Sequence, residues 1–246
     1  MDLNIVNPRP RYRPVPLVQP PSFGYLHIAA AIEPPTGPPF VRKSDRRERV
    51  LATLKSLAVR LAGAPNVARA TVYRALVVAP PSGSARDKAT HVARYDVAVL
   101  VEGASPLALD EVRATEPYRD MLEAVRAVTH DVHIMDATCA KCVGDVDKSR
   151  QGLFLFNHFV AENADVALKL WDYLADWYRI ETGLDNSTLL SPIGAADYVF
   201  VNHARWDYSL PRFMLNQFAR PSFYSYVQAN LRANRVGAMP IMYRLA

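Results

Sequence analysis

Gly152-Leu-Phe-Leu-Phe-Asn-His-Phe-Val-Ala161 is the stretch that decides how this chain folds. Its aromatic and β-branched content marks a strand. It also restarts a pattern already used once. Phe23 to Ile32 (Phe-Gly-Tyr-Leu-His-Ile-Ala-Ala-Ala-Ile) is an earlier strand of the same kind, with His27 placed much as His158 is. Outward from these two stretches the same order of elements unfolds twice.

In the first half, Ser44 caps a helix whose Val50, Leu51, Leu54, Leu57, Ala58 and Leu61 follow the 3.6-residue period, and Gly63 and Pro65 end it. Strands are predicted at residues 70–78 and 95–101, joined through a polar hairpin tip at 80–90. A helical region opened by Ser105-Pro106 is interrupted at Pro117, and a strand follows at 131–137. In the second half, Asn163 or Asp165 caps a helix that presents Val166, Leu170, Leu174 and Trp177 inward and stops at Gly183. A short strand at 187–191, a strand from Tyr198, a helical region opened by Ser209 and Pro211 and interrupted at Pro221, and a last strand at 236–245 complete the series. Each half reads β-α-β-β-α-β, the split unit of a ferredoxin-like fold. The expected organisation is an extended Pro-rich arm (1–22), a first repeat (23–143), a polar linker and a second repeat (152–246). The class is α+β, with the apolar sheet faces of two fused units packed together.

Composition narrows the function classes. The chain has 246 residues, half of them hydrophobic, and a net charge of +5. That excludes wholesale disorder. The basic residues are scattered and form no nucleic-acid patch. No apolar run reaches membrane-spanning length and no signal peptide is evident, so a cytoplasmic protein is expected. Cys139 and Cys142, in Cys-Ala-Lys-Cys, follow the strand at 131–137 and are read as reduced thiols, with a local disulfide or a metal site as the alternative. There is no Gly-rich phosphate loop and no nucleophile elbow.

The second half holds the unusual strand. Tyr198-Val-Phe-Val-Asn-His-Ala-Arg-Trp-Asp-Tyr208 carries Asn202, His203, Arg205 and Trp206 where its first-half counterpart, Tyr95 to Gly103, has no Asn, His or Trp. Alternation puts Tyr198, Phe200, Asn202, Ala204 and Trp206 on one face and Val199, Val201, His203 and Arg205 on the other. Asn202 and Trp206 are then roughly 13 Å apart, the span of a small aromatic ligand. The fold does not need these residues, so the second repeat is expected to carry the site and the first to serve as scaffold. His158 and His203 sit on strands expected to be neighbours, and with Asn157 they are candidates to line a cavity.

A duplicated chain of this kind resembles the dimeric α+β barrel superfamily, here with the barrel formed within one chain. The second half resembles the antibiotic-biosynthesis monooxygenase family through residues 183–227. Gly183, Ser187, Leu190 and Ser191 are similar to its small-residue strand, and Asn202-His203-Ala204-Arg205-Trp206 to its Asn-aromatic-Ala-x-Trp strand end. The resemblance implies cofactor-independent oxygenation of a polycyclic phenol or polyketide-like aromatic by O2. Asn202 and Trp206 would be catalytic, and Asn157, His158, His203, Tyr208 and Arg212 would contact substrate. Arg212 stands where that family often has a tyrosine. Haem-degrading relatives share the tryptophan, so a haem protein is the alternative, and a non-catalytic ligand-binding or assembly protein is another. The expected partners are a small aromatic and oxygen, in a monomeric pseudo-dimer or a homo-oligomer.

Overall fold

The computed structural model describes residues 2–85, 89 and 91–246. The first repeat contributes strands β1 (Gly24–Ala30), β2 (Val67–Val78), β4 (Val97–Gly103) and β5 (Val132–Gly144), with a two-residue β3 (Ser82–Gly83) between β2 and β4. The second contributes β6 (Leu153–Ala161), β7 (Ser187–Pro192), β8 (Phe200–Trp206) and β9 (Val236–Leu245). The helices are α1 (Asp45–Ala62), α2 (Leu109–Ala114), α3 (Glu116–Arg126), α4 (Ala164–Thr182), α5 (Leu210–Phe218) and α6 (Ala229–Ala233). A π-helical segment, Phe223–Gln228, runs directly into α6.

Local signals set the helix ends. The Ser44 side chain accepts from the Arg47 N–H at the start of α1, and Asn163 accepts from the Val166 N–H at the start of α4. Both satisfy a donor that the first turn leaves open. Gly183 closes α4 at φ 65°, a left-handed conformation that a side chain disfavours. Thr115 is extended between α2 and α3, where Pro117 was expected to break the helical region.

The strands are hydrogen-bonded in the order β2-β4-β1-β5-β7-β8-β6-β9, and β9 pairs back to β2. Every pairing is antiparallel, so eight strands close into a barrel and β3 hangs from β9. Within each repeat the first strand lies between the third and the fourth: β1 between β4 and β5, and β6 between β8 and β9. This is the ferredoxin-like order, built twice. The seams are β5–β7 and β9–β2. All eight barrel strands have two partners, which removes free edges.

Alternation sorts the side chains into layers. Tyr25, Tyr73, Leu100, Phe154, Phe156, Met239 and Tyr243 fill the barrel. Outside it, α1 to α3 cover Leu26, Ile28, Val99 and Val101 of the first repeat. The α4, π-helical and α6 segments cover Phe159, Phe200, Leu189 and Ala238 of the second.

Three readings of the sequence change. The strand from Tyr198 begins only at Phe200, so face alternation does not extend to Tyr198. That side chain turns into the barrel, where its hydroxyl is 2.8 Å from that of Tyr95 in the first repeat. The strand at 131–137 continues to Gly144 and contains both cysteines, because bulges keep it paired with β7. In the predicted hairpin tip, Ser82–Gly83 pairs with β9; residues 86–88 and 90 lie outside the described residues.

The Pro-rich arm is extended and held. Asn234 accepts from the Asn4 N–H and donates to the Asn4 carbonyl; Asn230, one helical turn earlier, does the same for Val6. Two side-chain amides thus imitate a neighbouring β-strand. Farther along, Tyr12 packs on Tyr226 and donates to Glu181, and the Arg13 N–H donates to Asp176.

Candidate functional site

The outward face of the second repeat's sheet does not close against its helices. A cavity of about 330 Å³ remains between β6, β8 and β9 below and α4, α5 and the π-helical segment above. That volume is at the small end of the roughly 300–1,000 Å³ typical of ligand pockets. In the first repeat the corresponding space is packed by Leu26, Leu54, Val99, Val101 and Met121.

Cross-strand register explains the contrast. Asn157 on β6 faces Asn202 on β8, and the topologically matching pair in the first repeat is Leu26 and Val101. Trp206 lies two outward positions beyond Asn202 and faces Leu153. Asn157, Asn202 and Trp206 therefore share the cavity floor, as the sequence predicted.

Asn202 is oriented by two donors. Its Oδ1 accepts from Ser187 Oγ at 2.6 Å and from the Trp171 indole N–H at 3.2 Å. An indole nitrogen can only donate, so the atom facing it must be the amide oxygen. Asn202 is thereby left with its NH2 group, two donors, to offer a ligand. Asn157 Oδ1 is buried without a hydrogen-bond partner. The floor thus pairs an oriented donor with an acceptor that lacks a donor. The Trp206 indole N–H is engaged by Thr182 Oγ1 at 3.2 Å, and its ring packs on Phe213 at 4.7 Å between centroids. Trp206 therefore offers a flat apolar surface.

Other lining residues were not singled out from the sequence. Trp171 is one of them: its helical period shows which face it occupies but not what its N–H meets. Tyr178, Gln217 and Gln228 also line the cavity, together with Ser187 of the small-residue strand already noted. Burial holds the Tyr178 hydroxyl well above its ordinary pKa. The first repeat contributes Pro39, Val77, Ala79, Pro80 and Ser82 to one wall, so it is more than a scaffold. Phe223, Tyr224, Val227 and Gln228 come from the π-helical segment. The extra residue per turn there reshapes the roof, a use often made of π geometry.

Four predicted substrate contacts lie elsewhere. His158 and His203 point through the other face of the sheet into the barrel, because strand parity opposes them to Asn157 and Asn202. His203 stacks on Phe156 at 4.2 Å, with Nδ1 3.0 Å from the Leu155 carbonyl and Nε2 3.3 Å from the Tyr73 hydroxyl. Burial pushes both His158 and His203 down to about 3. The two do not meet each other; His158 instead lies near His27 and His133, at 5.5 and 6.2 Å between ring centroids. Tyr208 donates to the Thr182 carbonyl, and Arg212 lies over the Tyr208 ring at 5.1 Å, both outside the cavity.

The sequence matches no protein-family model and no curated protein. Solved structures do match. An anthrone oxidase-like protein superposes with a TM-score of 0.63 at 14% identity, covering 94% of each chain. A candidate monooxygenase from Fusobacterium nucleatum gives 0.56 at 10% identity, over 91% of this chain and 93% of that one. A dye-decolorizing protein from V. cholerae gives 0.51 at 11% identity, over 93% and 95%. This chain has the dimeric α+β barrel fold. At such identities the likeness speaks for the fold alone.

A haem would need an axial ligand and room for a macrocycle. Among the described residues, no histidine or cysteine lines the cavity, and Tyr178, Tyr224, Met214 and Met242 are the lining groups able to approach iron. Those donors do not fit a histidine-ligated haem, and the volume suits a compact aromatic better. No cluster of three or more His, Cys, Asp or Glu placed to hold a metal occurs among the described residues. Among them, too, no helix is long and apolar enough to cross a membrane.

Proposed function

We propose that this protein is a cofactor-independent monooxygenase that oxidises a flat, phenolic, polyketide-like aromatic in the cavity of its second repeat. The Asn157–Asn202 pair carries the reading: a fixed NH2 donor and an unsatisfied acceptor side by side on an apolar floor, with Trp206 at the far end. The anthrone oxidase-like and monooxygenase-like proteins on the same fold support it.

The lining residues set the chemistry. Among the described residues, none of them is Asp, Glu, His or Lys, so the cavity offers no ordinary general base. Acidity must come from the substrate. A phenol or its keto tautomer whose oxygen accepts from Asn202 loses a proton more readily, because the developing negative charge meets a donor already aimed at it. Asn157 would take the hydrogen bond of a substrate hydroxyl, and Trp206 would hold the ring plane. The electron-rich anion reduces O2 itself. One methylene and one O2 become one carbonyl and one water, so no external reductant is required. Closing the barrel within one chain completes the site without a second copy.

Oxygen uptake with a hydroxylated anthrone tests the reading. Wild-type protein should consume O2 and yield the quinone, and Asn202→Ala should lose most of that rate. Tight binding of the anthrone with no oxygen uptake would point instead to a ligand-binding protein. Development of a Soret band with added haemin, lost on replacing Tyr178 or Met214, would point to the haem alternative.

A further inference from the structure

The cysteines of β5 stand apart from the cavity. In a regular strand, residues three apart face opposite sides of the sheet. Cys139 and Cys142 nevertheless both belong to the barrel interior. The register shows how. Cys139 pairs with Leu190 and Lys141 with Leu189, so Ala140 is an extra residue; Cys142 pairs with Thr188 and Gly144 with Ser187, so Val143 is another. The first bulge turns Lys141 outward to Asp172 on α4 and brings Cys142 inward beside Cys139. Bulges re-aim side chains in this way. Each thiol is the strongest influence on the other, raising Cys139 and lowering Cys142. They also reach backbone carbonyls, Cys139 that of Lys141 at 3.2 Å and Cys142 that of Gly144 at 3.4 Å.

We propose that Cys139 and Cys142 are a redox site that closes into an intrastrand disulfide under peroxide. Cys139, helped by the Gly144 backbone and Lys148, pulls Cys142 down to about 7 against the effect of burial, which assigns the roles. The Cys142 thiolate attacks a peroxide oxygen, the O–O bond breaks, and a sulfenic acid and hydroxide result. The Cys139 sulfur then attacks the sulfenyl sulfur, forming the S–S bond and expelling hydroxide, which leaves as water with the Cys139 proton. Both sulfurs are oxidised by one electron each, and one peroxide is reduced to two waters.

The bridge would be felt at the cavity. A disulfide draws its two Cα atoms to about 4.4–6.8 Å, which tightens the bulged segment. That segment is hydrogen-bonded to β7 through Thr188 and Ser187, and Ser187 holds Asn202. Oxidation should therefore loosen the orientation of Asn202 without touching a cavity residue directly.

Peptide mapping of peroxide-treated full-length protein is the test. The expected product is a single linked pair, Cys139 to Cys142, reversed by dithiothreitol. Treated Cys139→Ser should stop at a sulfenic acid trapped by dimedone on Cys142, whereas Cys142→Ser should give little dimedone adduct. Persistence of two free thiols in treated wild-type protein, labelled after unfolding, overturns the proposal, as does cross-linking between chains only. Binding of 1-anilinonaphthalene-8-sulfonate, followed by fluorescence, reads the coupling. A several-fold change in affinity between reduced and oxidised wild type, absent in Cys139→Ser, is expected, and identical affinities would overturn the coupling.

Discussion

Acidification should unfold this protein earlier than its size suggests, because the barrel is filled partly with neutral histidines. His27, His133, His158 and His203 are all buried in it. Both ring nitrogens of His27, and Nε2 of His133, have no hydrogen-bond partner, and a backbone contact at Met239 only partly offsets burial at His158. Burial is the largest influence on each ring and lowers its pKa: to about 4 for His133, about 3 for His158 and about 3 for His203, with His27 shifted the same way. Asp197, 3.5 Å from His133, opposes the shift there without cancelling it. In the unfolded chain each ring takes a proton near pH 6.5. Below that pH the unfolded state binds protons that the folded state refuses, so stability falls as pH falls. The loss starts near 6.5 and continues down to each folded pKa. At pH 5 it is about 2 kcal/mol for each such histidine, hence about 6 kcal/mol for His133, His158 and His203 together, with His27 adding in the same direction. A loss of that size is comparable to the whole stability of many domains, about 5–15 kcal/mol. Urea unfolding at half-unit steps from pH 7 to 5 measures it, in a window where carboxylates contribute little. His158→Phe should flatten the slope by one proton, about 1.4 kcal/mol per pH unit. Equal stability at pH 7 and pH 5 would refute the assignment of these rings as buried and neutral.

The remaining predictions concern the cavity and its supports. Asn202→Ala should lower oxygen uptake on the order of 10²-fold, as loss of an oriented donor does elsewhere, and unchanged turnover would remove Asn202 from the mechanism. Trp171→Phe keeps an aromatic ring but removes the N–H that orients Asn202; it should cost at least about 1 kcal/mol in urea unfolding and reduce kcat more than it raises KM. At Gly152 an added Cβ would lie 2.5 Å from Arg205 Nε, so Gly152→Ala should destabilise by about 1–3 kcal/mol, read as a lower Tm. Asn230→Ala releases Val6 from its clasp, and limited proteolysis should then cut the arm at a lower protease concentration than in wild type.

Much of the architecture was legible because periodic signals and chain order agreed. The span 236–245 could be read to the residue, and the caps at Ser44, Asn163 and Gly183 use local chemistry that a sequence displays directly. Strand parity gave the faces of Asn202 and Trp206, but only where pairing is regular. Tyr198 precedes the ladder, so counting by two failed for it, and the bulge between Cys139 and Cys142 would defeat the same count there. His158 and His203 were right as strand neighbours and misplaced as cavity residues, since opposition to Asn157 and Asn202 sends them inward. Trp171 carried no sign that its N–H would find Asn202, which is 31 residues away. The wall formed by Pro39, Ala79 and Pro80 depends on how the repeats meet, which no local pattern encodes.

Fusion of the two repeats has a consequence for design. In a barrel made from two identical chains, any substitution appears at both sites. Here Leu26 and Val101 occupy the places of Asn157 and Asn202 and can be changed independently. The packed first repeat is therefore a blank second compartment. Enlarging it there could install another binding function while the original cavity stays intact on the far side of the same barrel.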